Sequence, residues 1–188
     1  AYATGFYVTT LKGDHRGRIP DKEGIVENFF RTSMTRFVCT ASSVVIPRTV
    51  FDTVGGFPDG MALGGDQFMW IKIAARYKIC FSPRPLARYF VAATNRSASI
   101  YRSEKTEYDF RQLLSSDDFW RNEFIARVAL GKALTISSKG GTQDAAAALH
   151  DFAFNRHSRR TWWKLRILNS LPASLRWSLH RLYNKIAW

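Results

Sequence analysis

Two neighbouring runs set the tightest limits on the fold of this chain, Ser43-Val-Val-Ile-Pro-Arg-Thr-Val-Phe-Asp-Thr-Val-Gly-Gly-Phe57 and Leu63-Gly-Gly-Asp-Gln-Phe-Met-Trp70. Phe37 to Ile46 reads as a mostly buried strand that Pro47 ends, because proline has no N–H for a ladder. Val50, Phe51 and Val54 then give a short amphipathic helix. Gly55-Gly56 closes it, since glycine tolerates the left-handed backbone of a helix end. After a glycine-bearing loop, Asp66 to Tyr77 carries apolar residues at 68, 69, 70, 71, 73 and 74. A helix apolar on almost every side must be buried. Strand, short helix, loop and buried helix in that order call for an α/β architecture.

The flanking sequence extends this pattern. Tyr2 to Thr10 alternates aromatic with small or β-branched residues and predicts a strand. Lys12 to Lys22 reads as a polar loop holding Gly13, Gly17 and Pro20, and Glu23 to Arg31 as a helix with Ile25, Val26, Phe29 and Phe30 on one face. Lys78 to Ser82 and Leu86 to Val91 read as two short strands broken by Pro83 and Pro85. From Ser103 onward the signal is helical, roughly over 104–114, 117–136, 143–156 and 172–187. The expectation is an α/β portion over 1–102, a helical extension over 103–160 and a basic, Trp-rich tail over 161–188. No glycine-rich phosphate loop is present in the α/β portion.

Charge narrows the choice of partners. The net charge is +13 on 188 residues, which predicts attraction to polyanions. From Asp151 to the end there are 8 Lys or Arg and one acid, so over half of that excess lies in the last fifth of the chain. Cys39 and Cys80 sit in apolar contexts and read as buried, reduced thiols of a cytosolic protein. No run approaches the roughly 18 apolar residues a spanning helix needs, and no leader is visible. With no opening βαβ unit before Tyr2, the pattern is that of a piece of a longer protein.

Asp66 is the first candidate for chemistry. A lone acid at a loop-to-helix junction serves either as the cap of the helix it opens or as a base held beside a strand edge. Gly64 and Gly65 before it let a substrate approach the backbone closely. Arg48, Arg88 and Lys72 suit either phosphate and acceptor oxygens or the solvated surface, and Trp70 either the core or a wall for stacking a sugar. His15, His150, His157 and His180 are scattered and not catalytic. Asp14 reads as a solvated loop residue.

The segment closely resembles the acceptor half of family-2 glycosyltransferases with the GT-A fold. The shared features are Ser42 to Ile46, Arg48, Phe51, Val54 to Phe57, Asp66, Trp70 and Pro85-Leu-Ala-Arg-Tyr89. The loop ending Ile19-Pro20 and the helix start Glu23-Gly24-Ile25-Val26 extend the likeness over roughly residues 1 to 115. It implies a partial GT-A mixed sheet with flanking helices and a nucleotide-sugar donor. It implies a glycan or lipid-linked acceptor whose hydroxyl loses its proton to Asp66, with inversion at the anomeric carbon and cell-surface polysaccharide or glycan as product. Gly64, Gly65, Trp70, Arg48 and Arg88 would contact substrate. Mg²⁺ or Mn²⁺ would be held mainly by residues upstream of Ala1, and the piece alone should turn over poorly. The sequence departs from the family in having Gly65 where Glu is common, and Phe90 to Ala93 where many relatives carry His.

The tail has its own signature. Leu168, Leu171, Leu175, Leu179, Leu182 and Ile186 recur every three or four residues, with Arg176, Arg181 and Lys185 off the stripe and Trp162, Trp163, Trp177 and Trp188 nearby. Basic, amphipathic and Trp-rich sequence suits an anionic membrane surface, and docking on the protein itself is the alternative. Nucleic acid is not expected, for want of a reader motif. These readings place the protein in the cytoplasm, peripheral to the inner face of the membrane. The rival reading is a non-catalytic membrane- or partner-binding module built on the same framework.

Overall fold

The computed structural model describes residues 1–91, 107–138, 143–176 and 178–179. Its framework is a mixed sheet. Strand β1 (Tyr2–Thr10) turns through Leu11-Lys12 into β2 (Gly13–Arg16), an antiparallel hairpin that pairs Thr10 with Gly13 and Tyr7 with Arg16. Strands β3 (Gly24–Ile25) and β4 (Val44–Val45) are two-residue pieces, and β5 (Cys80–Phe90) is the longest strand. The order is β2-β1-β5-β3. β1 and β5 run parallel, whereas β3 is antiparallel to β5. One edge of β1 is taken by β5, so β2 and β4 share the other, with β4 on Tyr2 and Ala3 and β2 on Tyr7 to Thr10.

Sequence and structure part company in this sheet for identifiable reasons. Lys78–Ser82 and Leu86–Val91 form one strand, because the prolines sit where the register slips. Thr4 pairs with Ser82, Gly5 with Pro85 and Phe6 with Ala87, so Pro83, Arg84 and Leu86 fall in the slips and Pro85 stands between them. The expected strand over 37–46 shrinks to Val44–Val45, with Val38 and Cys39 buried but Val45 69% exposed. The polar stretch after Lys12 contains β2, and the expected helix from Glu23 starts only at Phe29, after β3.

Three helices accompany the sheet. Helix α1 (Phe29–Ser33) is capped by Asn28, whose Oδ1 accepts from the Arg31 N–H at 2.8 Å. Helix α2 (Arg48–Val54) buries Val50 and Val54, and α3 (Gly65–Ala74) buries Phe68, Met69, Trp70, Ile71 and Ile73. The core around them includes Ala3, Phe6, Ile19, Phe29, Phe30, Ile79 and Phe81.

The chain divides into two compact units: the sheet with α1 to α3, reaching Tyr108, and a helical unit from Asp109 onward that also counts residues 62–64. The helical unit opens with a 3₁₀ turn (Phe110–Leu113) where a longer helix was expected. It continues through α4 (Phe119–Ser138), α5 (Gln143–Asp151) and α6 (Arg159–Ser170). Asp118 caps α4, accepting from the Arg121 N–H at 2.9 Å. Ile125, Ala126, Leu130, Ala145 and Leu165 are fully buried in this unit. The helix expected over 172–187 lies mostly outside the described residues, which show only the turn at 173–176 and residues 178–179 as helical.

Candidate functional site

The junction before α3 is built by glycine and acid together. Gly64 holds φ at 84°, a backbone that favours glycine, and lets the chain turn into the helix at Gly65. Gly65 is itself helical, and a Cβ there would meet Pro58 at 3.5 Å and Met61 at 4.0 Å, ordinary contacts. Asp66 therefore stands within the first turn of α3 rather than before it. Its Oδ1 accepts from the Gln67 N–H at 2.8 Å. A carboxylate in this position meets the positive end of the helix dipole. The side chain is half-buried, and Oδ2 has no hydrogen bond or ion pair among the described residues. One oxygen is fixed and the other is open, on a helix whose next residues are core.

Trp70 is one turn further along and belongs to that core. It is 2% exposed, with the Phe57 ring edge-on at 6.1 Å, so its indole packs and offers no face for a sugar to stack on. Lys72 and Arg76 have structural employment as well. Lys72 Nζ donates to the Gly56 carbonyl at 3.1 Å and Arg76 Nη1 to the Thr53 carbonyl at 3.0 Å, two cations on the C-terminal end of α2. Burial and the neighbouring Arg76 lower the pKa of Lys72. Gly55 allows this approach with φ 75° and ψ 178°, an extended region beyond the left-handed helical one and essentially reserved for glycine.

Arg48, at the start of α2, is exposed. Arg88, on β5, has a partner that the sequence did not reveal. Its guanidinium meets the Asp14 carboxylate of β2 and lies 5.6 Å from the centre of the Tyr7 ring on β1. Thr9 Oγ1 donates to Asp14 Oδ1 at 2.7 Å. The Thr9 hydroxyl and the Arg88 cation outweigh desolvation and hold the Asp14 carboxyl below its usual value. Asp14 is thus exposed, as expected, but it stands on a strand and is paired with a cation. Asp14-His15-Arg16 is polar throughout and exposed, with no alternation to mark a strand, and the 74-residue separation from Arg88 carried no sign of the pair.

No protein-family model, curated protein or solved structure matches this chain. The arrangement must therefore be judged on its own chemistry. Among the described residues no three His, Cys, Asp or Glu side chains cluster as a metal site. Asp14 is already engaged by a cation, so the described residues do not fit a Mg²⁺ or Mn²⁺ ion and no step is assigned to one. Cys39 is a free thiol that burial pushes up to about 12, which keeps it protonated and unreactive, and Cys80 is also free. The His157 ring lies against Trp120 with ring centres 4.9 Å apart, and His150 Nδ1 bonds Asp151 at 3.0 Å.

Proposed function

We propose that this chain carries the acceptor half of an inverting glycosyltransferase of GT-A type, with Asp66 as its general base. The observation that carries the reading is the half-buried Asp66 carboxylate, one oxygen held by the Gln67 N–H and the other open, on a helix anchored by five buried side chains. A base needs a free lone pair and a fixed direction, and this one has both. In the reaction, the acceptor hydroxyl attacks the anomeric carbon of a nucleotide-sugar while its proton passes to Asp66. The new C–O bond forms as the bond to the nucleotide diphosphate breaks, and the diphosphate leaves with the bonding pair. A single displacement of this kind inverts the anomeric centre. Gly64, with φ at 84°, turns the chain into the helix that presents the carboxylate. Arg48 is free to meet an anionic group, whereas Arg88 must first give up Asp14.

The reading also puts the protein at the inner face of the cell membrane, supported by the basic C-terminal segment. Among the described residues no helix is long and apolar enough to cross a membrane. The rival reading, a non-catalytic binding module, is favoured by Gly65 standing where a glutamate would orient the acceptor. Sugar transfer by the complete protein, compared with its Asp66→Asn variant, separates the two. The enzyme reading expects a loss of 10² or more, in line with what a general base contributes. Transfer unchanged in the variant would remove Asp66 from the mechanism.

A further inference from the structure

Helix α6 has one face committed and one open. Leu165 is fully buried, and Trp162 is held beside it by an Nε1–H bond to the Leu149 carbonyl at 2.9 Å. These two contacts fix the rotation of the helix. On the far side Trp163 is 52% exposed and Ile167 is 61% exposed. Four residues apart, they lie about 40° from one another around the axis and form a single apolar ridge. Arg159 and Arg166 border that ridge on one side, Arg160 and Lys164 on the other, and all four are exposed. The Arg166 guanidinium lies 5.3 Å from the Trp162 ring centre and 5.2 Å from that of Trp163. No acid occurs anywhere in α6. Past Pro172, Leu175 and Leu179 are exposed too.

An apolar ridge between two rows of cations is costly in water and ill-matched to an apolar protein groove, which would have to desolvate the cations. Nucleic acid would use the cations and leave Ile167 without a role. An anionic bilayer takes both at once, rings and aliphatics at the headgroup boundary and cations on lipid phosphates. We propose that the exposed face of α6 seats on an anionic phospholipid bilayer, with Trp163 and Ile167 entering the boundary and Arg159, Arg160, Lys164 and Arg166 meeting lipid phosphates. The inference rests on the peripheral location proposed for the protein and on none of its chemistry.

Co-sedimentation with phosphatidylglycerol vesicles and, in parallel, with phosphatidylcholine vesicles tests it at low ionic strength. The wild-type chain should bind the anionic vesicles and bind the zwitterionic ones far less. One cation near such a surface changes affinity roughly five-fold, so Arg160→Gln with Lys164→Gln should weaken binding about thirty-fold. Trp163→Ser with Ile167→Ser should weaken it with the charge unchanged. The comparison pair Lys22→Gln with Lys78→Gln removes the same charge from exposed positions in the other unit and should cost less than about three-fold. Equal losses from the two charge pairs, or no binding to phosphatidylglycerol, would overturn the proposal. So would retention of a single-stranded oligonucleotide at physiological salt that the α6 charge pair abolishes. Sugar transfer to a soluble acceptor is measured separately, so a failure here leaves the assignment of Asp66 untouched.

Discussion

Glu123 offers the sharpest test of how the helical unit holds together. It is 1% exposed on α4, and its carboxylate binds the loop that joins α5 to α6. The Arg156 N–H is shared between Oε1 at 2.8 Å and Oε2 at 3.0 Å, and the His157 N–H donates to Oε2 at 2.8 Å. Glu123→Gln keeps the shape and removes the charge. If the amide oxygen takes the Oε2 position, both N–H groups keep an acceptor, but an NH₂ now faces the Arg156 N–H at what was a 2.8 Å bond. Two charge-assisted bonds become neutral, a loss of about 1 kcal/mol each, and the donor clash adds about 1 to 2 more. Relief from burying a charge offsets part of this. The net expectation is a loss of about 2 kcal/mol. Urea denaturation monitored by helical circular dichroism measures the loss. Hydrogen exchange at the Arg156 and His157 amides reports the bonds themselves, and both should exchange faster in the variant. Stability within about 0.5 kcal/mol of wild type together with unchanged exchange at these two amides would refute the reasoning.

Two further outcomes follow from the sheet unit. A Cβ at Gly5 would stand 2.8 Å from the Pro83 carbonyl and 2.6 Å from Ile19 Cδ1, so Gly5→Ala forces the backbone bulge apart and should cost about 1 to 3 kcal/mol. Gly65→Ala, with only ordinary contacts and a helical backbone, should be neutral or slightly stabilising in the same urea titration. Cys39 gives a pH signature. Its folded pKa of about 12 lies above the unfolded 9.0, so its contribution is intact below pH 9.0 and is lost as pH rises through that window. Cys39→Ala should flatten the fall in urea midpoint with alkaline pH, which parallel titrations of wild type and variant will show.

Much of this architecture is legible in the residues, and the exceptions share a cause. Helix α3 is plain because Phe68 to Ile73 is apolar on every side but that of Lys72, and a segment of that kind has nowhere to go except the interior. β1 and α4 are similarly announced by their own periodicity. What the sequence conceals is whatever depends on a distant partner. Pro83 and Pro85 read as strand breakers until β5 bulges opposite Gly5, whose missing side chain leaves space for the Pro83 and Arg84 carbonyls. Asp14 reads as an unpaired loop residue, whereas Arg88 meets it from 74 residues away. Helix α6 was missed over Arg159 to Ser170 because its polar side is crowded with cations and its two adjacent tryptophans face different ways, one inward and one to solvent. Of the candidate site, the position of Asp66 near a helix start was readable from Gly64, Gly65 and the apolar run after them. That Trp70 turns wholly into the core was not, since Phe57 and the helix rotation decide it.

The central claim is that Asp66 is a base rather than the first acid of a helix. Its measure is sugar transfer and stability read on the same Asp66→Asn variant of the complete protein. Asparagine can still accept from the Gln67 N–H, so folding stability should fall by no more than about 1 kcal/mol. Transfer should fall by 10² or more. Transfer that survives while stability drops would mean that Asp66 serves only the helix it helps to open.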